Sequence, residues 1–523
     1  MGRRSQIVGA AGLISGLTAA SRVLGVVRDS LIAARLGAGN YNDIFQIAST
    51  IPNLARRVLG EGALSAFIVP IVSGVRRQKG EGAAWRFTSN ALNLFALLTL
   101  VLTIVGCIFA KPLFMFYGGT KYNVASQTAL LEIGVSLTRI MFPYLMFLTL
   151  VALLMGICHS LNHFLAPAAG SAVVNIVMIA AALIFFGLGA EKFLYVQAWA
   201  VMVGVVLRLL ILFPPLIRRG FRWRPIADRR EPAFVELSSK MPAAVYATAV
   251  AQINIAISFN LAVWCGPASV TYLKYSQNLI QLPLALFATA LSTVLLPQVS
   301  VVVAEKKHDE LRDLMGFAFR GILMVFVPAA IGLMVLGRPI VQILFQRGQW
   351  NDAATAGTTA ALFYYAIALV PLGAQRIFIP LYYAQKDMVT PVKYGAMAMA
   401  ASVALSLVLI WPMGFAGLAL ASSLACLANT WLLWRGLARR FGRDFAGPLW
   451  STLLRSLACA LLMGAVCGIG FYGTEKMFHV TGTLAMFALT LGWIGVGLAV
   501  YAAASYRARL WNRELLALML KQG

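Results

Sequence analysis

EGALSAFIVPIVS at residues 61–73 lies over ATALSTVLLPQVS at residues 288–300. Ala, Leu, Ser, Pro, Val and Ser recur in order at an offset of about 227 residues. The register continues outward. Lys111-Pro112 meets Arg338-Pro339, Gly187 meets Gly414, and Arg208 meets Arg435. Pro143 and Pro371 keep nearly the same spacing, as do Pro167 and Pro391. One such match is chance; a collinear series is a duplication.

What is duplicated is apolar. Of 523 residues, 60% are hydrophobic and only 12% charged, with a mean hydropathy of +0.81. A soluble chain carries about 25% charged residues. The composition excludes a soluble multidomain enzyme, a disordered chain and an ordinary nucleic-acid binder. Crossing a bilayer takes about 20 apolar residues, and runs of that kind predict fourteen spans, near 7–37, 42–74, 86–111, 125–158, 163–188, 193–217, 236–264, 269–303, 314–336, 353–384, 391–411, 415–436, 450–473 and 481–505. The expected fold is an all-α polytopic membrane protein. Six spans fall in each copy of the repeat. An even number gives both copies the same orientation, related by an axis along the membrane normal. Two six-helix lobes are therefore expected at 1–220 and 233–440, with a cavity between them. An extra helix pair follows at 450–505, then a tail at 506–523. Pro52, Pro143, Pro283 and Pro371 lie inside spans, where a missing N–H kinks a helix.

The formal charge is +25, and its placement decides its meaning. Basic residues collect in alternate gaps between apolar runs, as at Arg218, Arg219, Arg222, Arg224, Arg229 and Arg230. The other gaps hold only Lys111, Lys121, Lys192, Arg338, Arg347 and Lys476. This is the positive-inside bias, which orients both termini to the cytoplasm and requires no nucleic acid. The six cysteines are scattered without a CxxC and read as small apolar residues. Arg3-Arg4 resembles a signal n-region, but Arg22, Arg28 and Asp29 in the following run favour a retained first span.

Four cations sit inside spans one and two: Arg22, Arg28, Arg56 and Arg57. Each costs roughly 2.5–3.5 kcal/mol at mid-bilayer, so four facing lipid would cost about 10 kcal/mol. Their equivalents in the second copy are Ala249, Ile255, Pro283 and Leu284, all apolar. The fold alone does not require these arginines. Arg57 and Glu61 are four apart on one helical face, a spacing that favours an ion pair. Asp29 neighbours Arg28, and adjacent helical residues do not ordinarily face each other. Bends at Gly25 and Pro52 would let Arg22, Arg28 and Arg56 converge on an anion; a set of internal ion pairs is the other reading. Asp43, near the outer end of span two, reads equally as a gate or a helix-end charge. In the second copy, Lys274 and Asn278 share a face of span eight with Gln277 and Gln281 nearby, and Asn254 and Asn260 give span seven a polar face. Polar contact between helices would explain these residues as well as substrate binding does. Arg376 in span ten either lines the cavity or snorkels to the interface.

No GxxxxGK[ST] phosphate loop, dinucleotide fingerprint or catalytic carboxylate set is present. His159 and His163 are four apart without a third ligand, so no metal site is read. No cofactor is expected.

SRVLGVVRDSLIAARLGAG (21–39) and NDIFQIASTIPNLARRVLGEGALSAFIVP (42–70) resemble the opening of the MurJ/MviN lipid II flippases. LFQRGQW (344–350), YYAQKDMVTP (382–391) and GFAGLALASSLACLAN (414–429) extend the likeness in order. The resemblance implies a MOP-superfamily exporter with two lobes and alternating access. It implies export of lipid II, the undecaprenyl-diphosphate-linked peptidoglycan precursor, across the bacterial inner membrane. The family's cavity arginines map onto Arg22, Arg28 and Arg56, and its acidic positions onto Asp43 and Glu61. The extra helix pair is similar to the family's groove for the polyprenyl tail. The sequence departs from the pattern at Asn278, where many members carry arginine, and at Thr50, where some carry lysine. Lys274, one turn from Asn278, is the candidate replacement. Expected partners are the anionic lipid substrate, membrane lipids, and cell-wall synthesis or division machinery. A flippase for another polyprenyl-linked saccharide and a multidrug exporter are the alternatives within transport. A scaffold for cell-wall synthases is the alternative outside it.

Overall fold

The computed structural model describes residues 3–59, 63–161, 163–288, 302–303, 305, 307–385, 387–442, 445, 449–478 and 482–510. Among them the regular structure is helical throughout. Two compact units emerge: Met1–Val270 with Arg347–Trp350, and Thr271–Gln346 with Asn351–Gly523.

In the first unit the chain runs through α1 (Arg3–Leu36), α2 (Asn40–Leu59), α3 (Ala63–Ile108) and the short α4 (Ala110–Phe116). It continues with α5 (Thr128–Met141), α6 (Tyr144–Ser160), α7 (Leu165–Ile184), α8 (Ala190–Ile211), α9 (Phe213–Ile217) and α10 (Pro232–Trp264). The second unit holds α11 (Ser269–Pro283, whose first residues lie at the boundary), α12 (His308–Val335), α13 (Gly337–Phe345) and α14 (Asp352–Ala366). It ends with α15 (Leu369–Ala384), α16 (Val389–Met413), α17 (Phe415–Phe441), α18 (Leu449–Phe478) and α19 (Thr483–Arg507).

Proline chemistry places the breaks. Pro143 cannot donate to the carbonyl of Arg139, and its ring crowds that oxygen. The helix therefore stops at Met141 and restarts at Tyr144. The carbonyl of Arg139 takes a long contact from Cys107 Sγ at 3.6 Å, and Gly106 on α3 leaves room for the Phe142 ring at the break. In the second unit Pro371 stands four residues after Ile367, and α14 and α15 meet there at a 43° bend. The two broken spans occupy equivalent places in the sequence repeat, as do the short helices α4 and α13. Pro52 leaves α2 continuous, and Pro283 ends α11 at a π-turn over Leu284–Ala288.

Nine segments among the described residues are long and apolar enough to cross a membrane, and the bent α14–α15 pair makes ten. The chain is a multi-pass membrane protein. Helix α2 is not among the nine. Asn40, Asn42, Asp43, Gln46, Asn53, Arg56 and Arg57 share its twenty residues, and that polarity needs water or protein rather than lipid. Residues 289–301 of predicted span eight lie outside the described set.

The first unit packs α3 against α6 around Leu64, Ile68, Phe87, Leu153 and Ile157, with Leu212 and Leu216 closing the cluster. In the second unit the extra pair seats on α12. Leu323, Met324 and Val327 share a core with Cys459, Met463, Cys467, Phe471, Met486 and Tyr501. Small residues permit the close approach: a side chain at Gly464 would meet Ile331, and one at Gly497 would meet Cys467. All six cysteines are free thiols.

Candidate functional site

Helix α1 carries two of the predicted cations to different surroundings. Arg22 is exposed and makes no polar contact among the described residues. Arg28, six residues on and about 120° around the helix, is part-buried. Its Nε and Nη2 donate to Asp29 Oδ1 at 2.9 and 2.6 Å. Its Nη1 donates to Asn175 Oδ1 on α7 at 3.0 Å. The expectation that neighbouring residues do not face each other fails here. Arginine's stem is long enough to fold its planar fork back over the next residue's short carboxylate. Asn175 in turn donates to the Ser21 carbonyl at 2.9 Å and to Ser21 Oγ at 3.4 Å. Ser21, Arg28, Asp29 and Asn175 thus form one polar group inside the first unit.

At the other end of α1 the chain turns at Gly37, which has φ +64°. Gly37 N–H donates to the Ala33 carbonyl, and the Gly37 carbonyl accepts from Asn42 Nδ2 at 2.7 Å. The Ala34 carbonyl, left over at the helix end, accepts the Gln349 N–H at 2.8 Å. Gly348, at φ +58°, lies so close that a side chain there would strike the Ala34 oxygen. Asp43 is 1% exposed. It sits in the first turn of α2, where a helix end favours negative charge, and accepts the Ala268 N–H at 2.8 Å. Its place is that of a buried anchor for the turn before α11.

In the second unit Lys274 and Asn278 are both part-buried on α11. Gln277, between them, donates to the Tyr365 hydroxyl at 2.9 Å, and Ser276 donates to the Thr358 carbonyl at 2.7 Å. Those two bonds face α11 toward α14. Arg376 is exposed on α15 without a polar contact among the described residues. Its neighbour Gln375 ties to Thr430 on α17 at 2.9 Å.

Arg56 and Arg57 lie on α2, but their side chains are outside the described residues, as is the whole of Glu61. The side chain of Asn254 falls outside them too. The structure brings Arg28 to Asn175 and Asp43 to Ala268; it leaves Arg22 apart from Arg28. A search for intramembrane cations passes over Asn175. Its signal was an amide within the apolar run SAVVNIVMIAA (171–181).

With this geometry in view, the family model described as "Lipid II flippase MurJ" matches residues 32–491. The chain belongs to the MurJ family of lipid II flippases. A "Probable lipid II flippase MurJ" of Vibrio cholerae is 30% identical, covering 94% of each chain. A "Lipid II flippase MurJ" of Burkholderia cenocepacia is 31% identical over 95% of this chain and 96% of its own. Among solved structures, "Lipid II flippase MurJ, inward closed conformation" superposes with a TM-score of 0.79 at 24% identity, covering 95% of this chain and 99% of that one. An inward-facing multidrug resistance MATE family transporter of the MOP superfamily follows at a TM-score of 0.67 and 12% identity, covering 81% and 95%. The fold is therefore that of the MurJ structure, shared more distantly with MATE transporters.

Proposed function

We propose that this protein carries lipid II from the cytoplasmic to the outer leaflet of the bacterial inner membrane by alternating access. The observation that carries the reading is membership of the MurJ family over nearly the whole chain. The part-buried polar group around Arg28 supports it from the residues. An arginine placed inside the membrane region, with its plane set by an acid and an amide, suits the diphosphate of a lipid carrier, whose oxygens match a guanidinium fork.

In this reading Arg22, Arg28 and Arg56, all in the lobe at 1–220, hold the diphosphate in the inward-open state, and the lobe at 233–440 adds contacts to the headgroup. Lys274, Asn278 and Arg376 meet the headgroup from the second lobe. Arg57 and Glu61 act as a gating or ion-pair set, while Asp43, predicted to join them, is buried against the Ala268 N–H and serves instead as an anchor. The polyprenyl tail stays in lipid beside the helix pair at 450–505, and both termini, with the tail at 506–523, face the cytoplasm. The lobes then rock about their shared axis. A potential of about 100 mV, negative inside, is worth roughly 2.3 kcal/mol per charge moved, and favours outward movement of the anion. No covalent bond changes, as befits a transporter. Cell-wall synthesis or division machinery is the expected protein partner.

The test is rescue of a bacterium depleted of its own lipid II flippase, scoring outer-leaflet lipid II with growth. Rescue by the wild type but not by Arg28→Ala, at equal membrane abundance, is the expected result. Normal insertion without rescue would redirect the reading to another polyprenyl-linked saccharide. Rescue by both proteins would remove Arg28 from the mechanism and leave the function standing.

A further inference from the structure

We propose that Arg208 of α8 forms a binding site for a phosphate-class oxyanion inside the first unit, separate from the group around Arg28. Arg208 lies within the apolar span Ala190–Ile217, where an unmatched cation is costly. Its stem rests on α7, where a Cβ built on Gly170 would come 2.9 Å from Arg208 Cγ. Its Nη2 donates to the Met155 thioether on α6 at 3.5 Å, and its Nε is buried without a partner. A thioether is a weak acceptor. The Nε–Nη2 edge, which can grip an oxyanion through two parallel bonds, is therefore covered by little more than one sulfur. Arg28 gives the contrast, since the same two nitrogens there both donate to Asp29. Nη1 of Arg208 has no partner among the described residues yet is not enclosed, so an anion has a way in.

The counter-charge comes from outside the chain. Among the described residues the titratable side chain acting on Arg208 is the phenol of Tyr144, not a carboxylate. Between Glu132 and Asp228 the sequence holds one acid, Glu191, at the opposite end of α8. The side chain does not reach for the membrane surface either. Helical side chains lean toward the helix N-terminus, which carries Arg208 away from the basic segment at 218–230 and onto Met155. The fold does not require a part-buried cation at this place in the repeat, because its equivalent Arg435 is exposed and stacks on Trp431 at 5.1 Å. Arg28 and Arg208 also meet α7 on different faces. Asn175, the partner of Arg28, lies about 140° around the helix from Gly170. Met155, unbranched and flexible, covers the open edge of Arg208 and can swing aside for an oxygen.

The experiment follows thermal unfolding of the full-length protein in dodecyl maltoside, a detergent without phosphate. Inorganic phosphate or chloride is titrated at constant ionic strength, with gluconate as the balancing anion, for wild type, Arg28→Ala, Arg208→Leu and Met155→Glu. Phosphate should raise the wild-type midpoint saturably, and more than chloride does, because only an oxyanion offers separate oxygens to both nitrogens. Arg208→Leu should weaken this binding about tenfold or more. The general stabilisation that phosphate gives any folded protein remains in that variant and is subtracted. Arg28→Ala should keep the response, which separates this site from the transport reading. Met155→Glu sets a carboxylate against the fork, so phosphate should no longer move its midpoint. An equal response in Arg208→Leu, a chloride response matching that to phosphate, loss of the response in Arg28→Ala, or a full response in Met155→Glu would each overturn the proposal. The Met155 variant decides the matter should Arg208→Leu fail to fold. Phosphatidylglycerol added to the micelles names the source: competition with inorganic phosphate assigns the site to a lipid phosphate, and no competition assigns it to the free ion.

Discussion

The carboxylate of Asp43 accepts the backbone N–H of Ala268 at 2.8 Å, across 225 residues of chain. Ala268 holds φ +70°, a conformation that L-residues with a Cβ rarely adopt. The bond thus steadies a strained turn between α10 and α11. Asp43→Ala should lower unfolding stability in detergent by about 1–3 kcal/mol, because it leaves a buried amide unpaired. Asp43→Asn retains an acceptor and should lose less. Equal thermal midpoints for wild type and Asp43→Ala would remove the anchoring role.

Gly348 and Gly37 face opposing backbone with no room for a side chain. A Cβ at Gly348 would sit 2.3 Å from the Ala34 oxygen, whereas one at Gly39 meets nothing within 4 Å. Gly348→Ala should therefore destabilise the first unit by about 1 kcal/mol or more, and Gly39→Ala should leave it unchanged. Thermal unfolding of the two variants side by side reads the difference.

Asp387 lies two residues before α16 and closes the turn in the YYAQKDMVTP segment. It accepts the Thr390 N–H at 2.9 Å and the Thr390 hydroxyl at 2.7 Å, and it pairs with Arg440 at 2.5 Å. The backbone N–H of Thr390, then its hydroxyl and Arg440, hold this carboxyl well below the usual carboxylate range, against the opposing cost of burial. A carboxylate with a depressed folded pKa contributes stability in full above its unfolded value of about 3.9. That contribution drains away as pH falls toward the folded value. Asp387→Asn keeps an acceptor for the Thr390 N–H but loses the charge facing Arg440, so it should cost about 0.5–1 kcal/mol at pH 7, and the gap to wild type should narrow steadily below about pH 4. A gap that stays constant with pH would show that charge is not what Asp387 supplies.

Lys274 is part-buried one turn before Asn278. If its charge serves the diphosphate, Lys274→Ala should cut export about tenfold or more while Lys274→Arg retains most of it. Membrane abundance must be equal for the comparison. Unchanged export in Lys274→Ala would leave it a helix-packing residue.

The broken spans show how far reading along the chain reaches. Pro143 and Pro371 were visible as letters, and proline's missing N–H acts on the carbonyl four residues earlier, so the breaks fall within a turn of them. Asp29 shows where such reading stops. A rule drawn from Cβ directions put it away from Arg28, yet a side chain with four rotatable bonds is not confined to its Cβ direction, and the pair forms at 2.6 Å. The LFQRGQW segment was legible as a family motif but not as a brace. Gly348 and Gln349 take their meaning from the Ala34 carbonyl at the end of α1, far away in the chain.

By itself the sequence determined the membrane class, the helical character, the duplication and the uneven spread of positive charge. Each is a property of local composition or of a repeating register, and hydrophobicity and chain sterics act residue by residue. Tertiary structure alone decided that Arg28 is shared between Asp29 and Asn175, that Asp43 is buried on Ala268, and that Gln349 closes the end of α1. Apart from the Arg28–Asp29 pair within α1, these are hydrogen bonds made between distant parts of the chain by single side chains or single amides. No periodicity encodes them, and only the packed fold brings donor and acceptor within 3 Å.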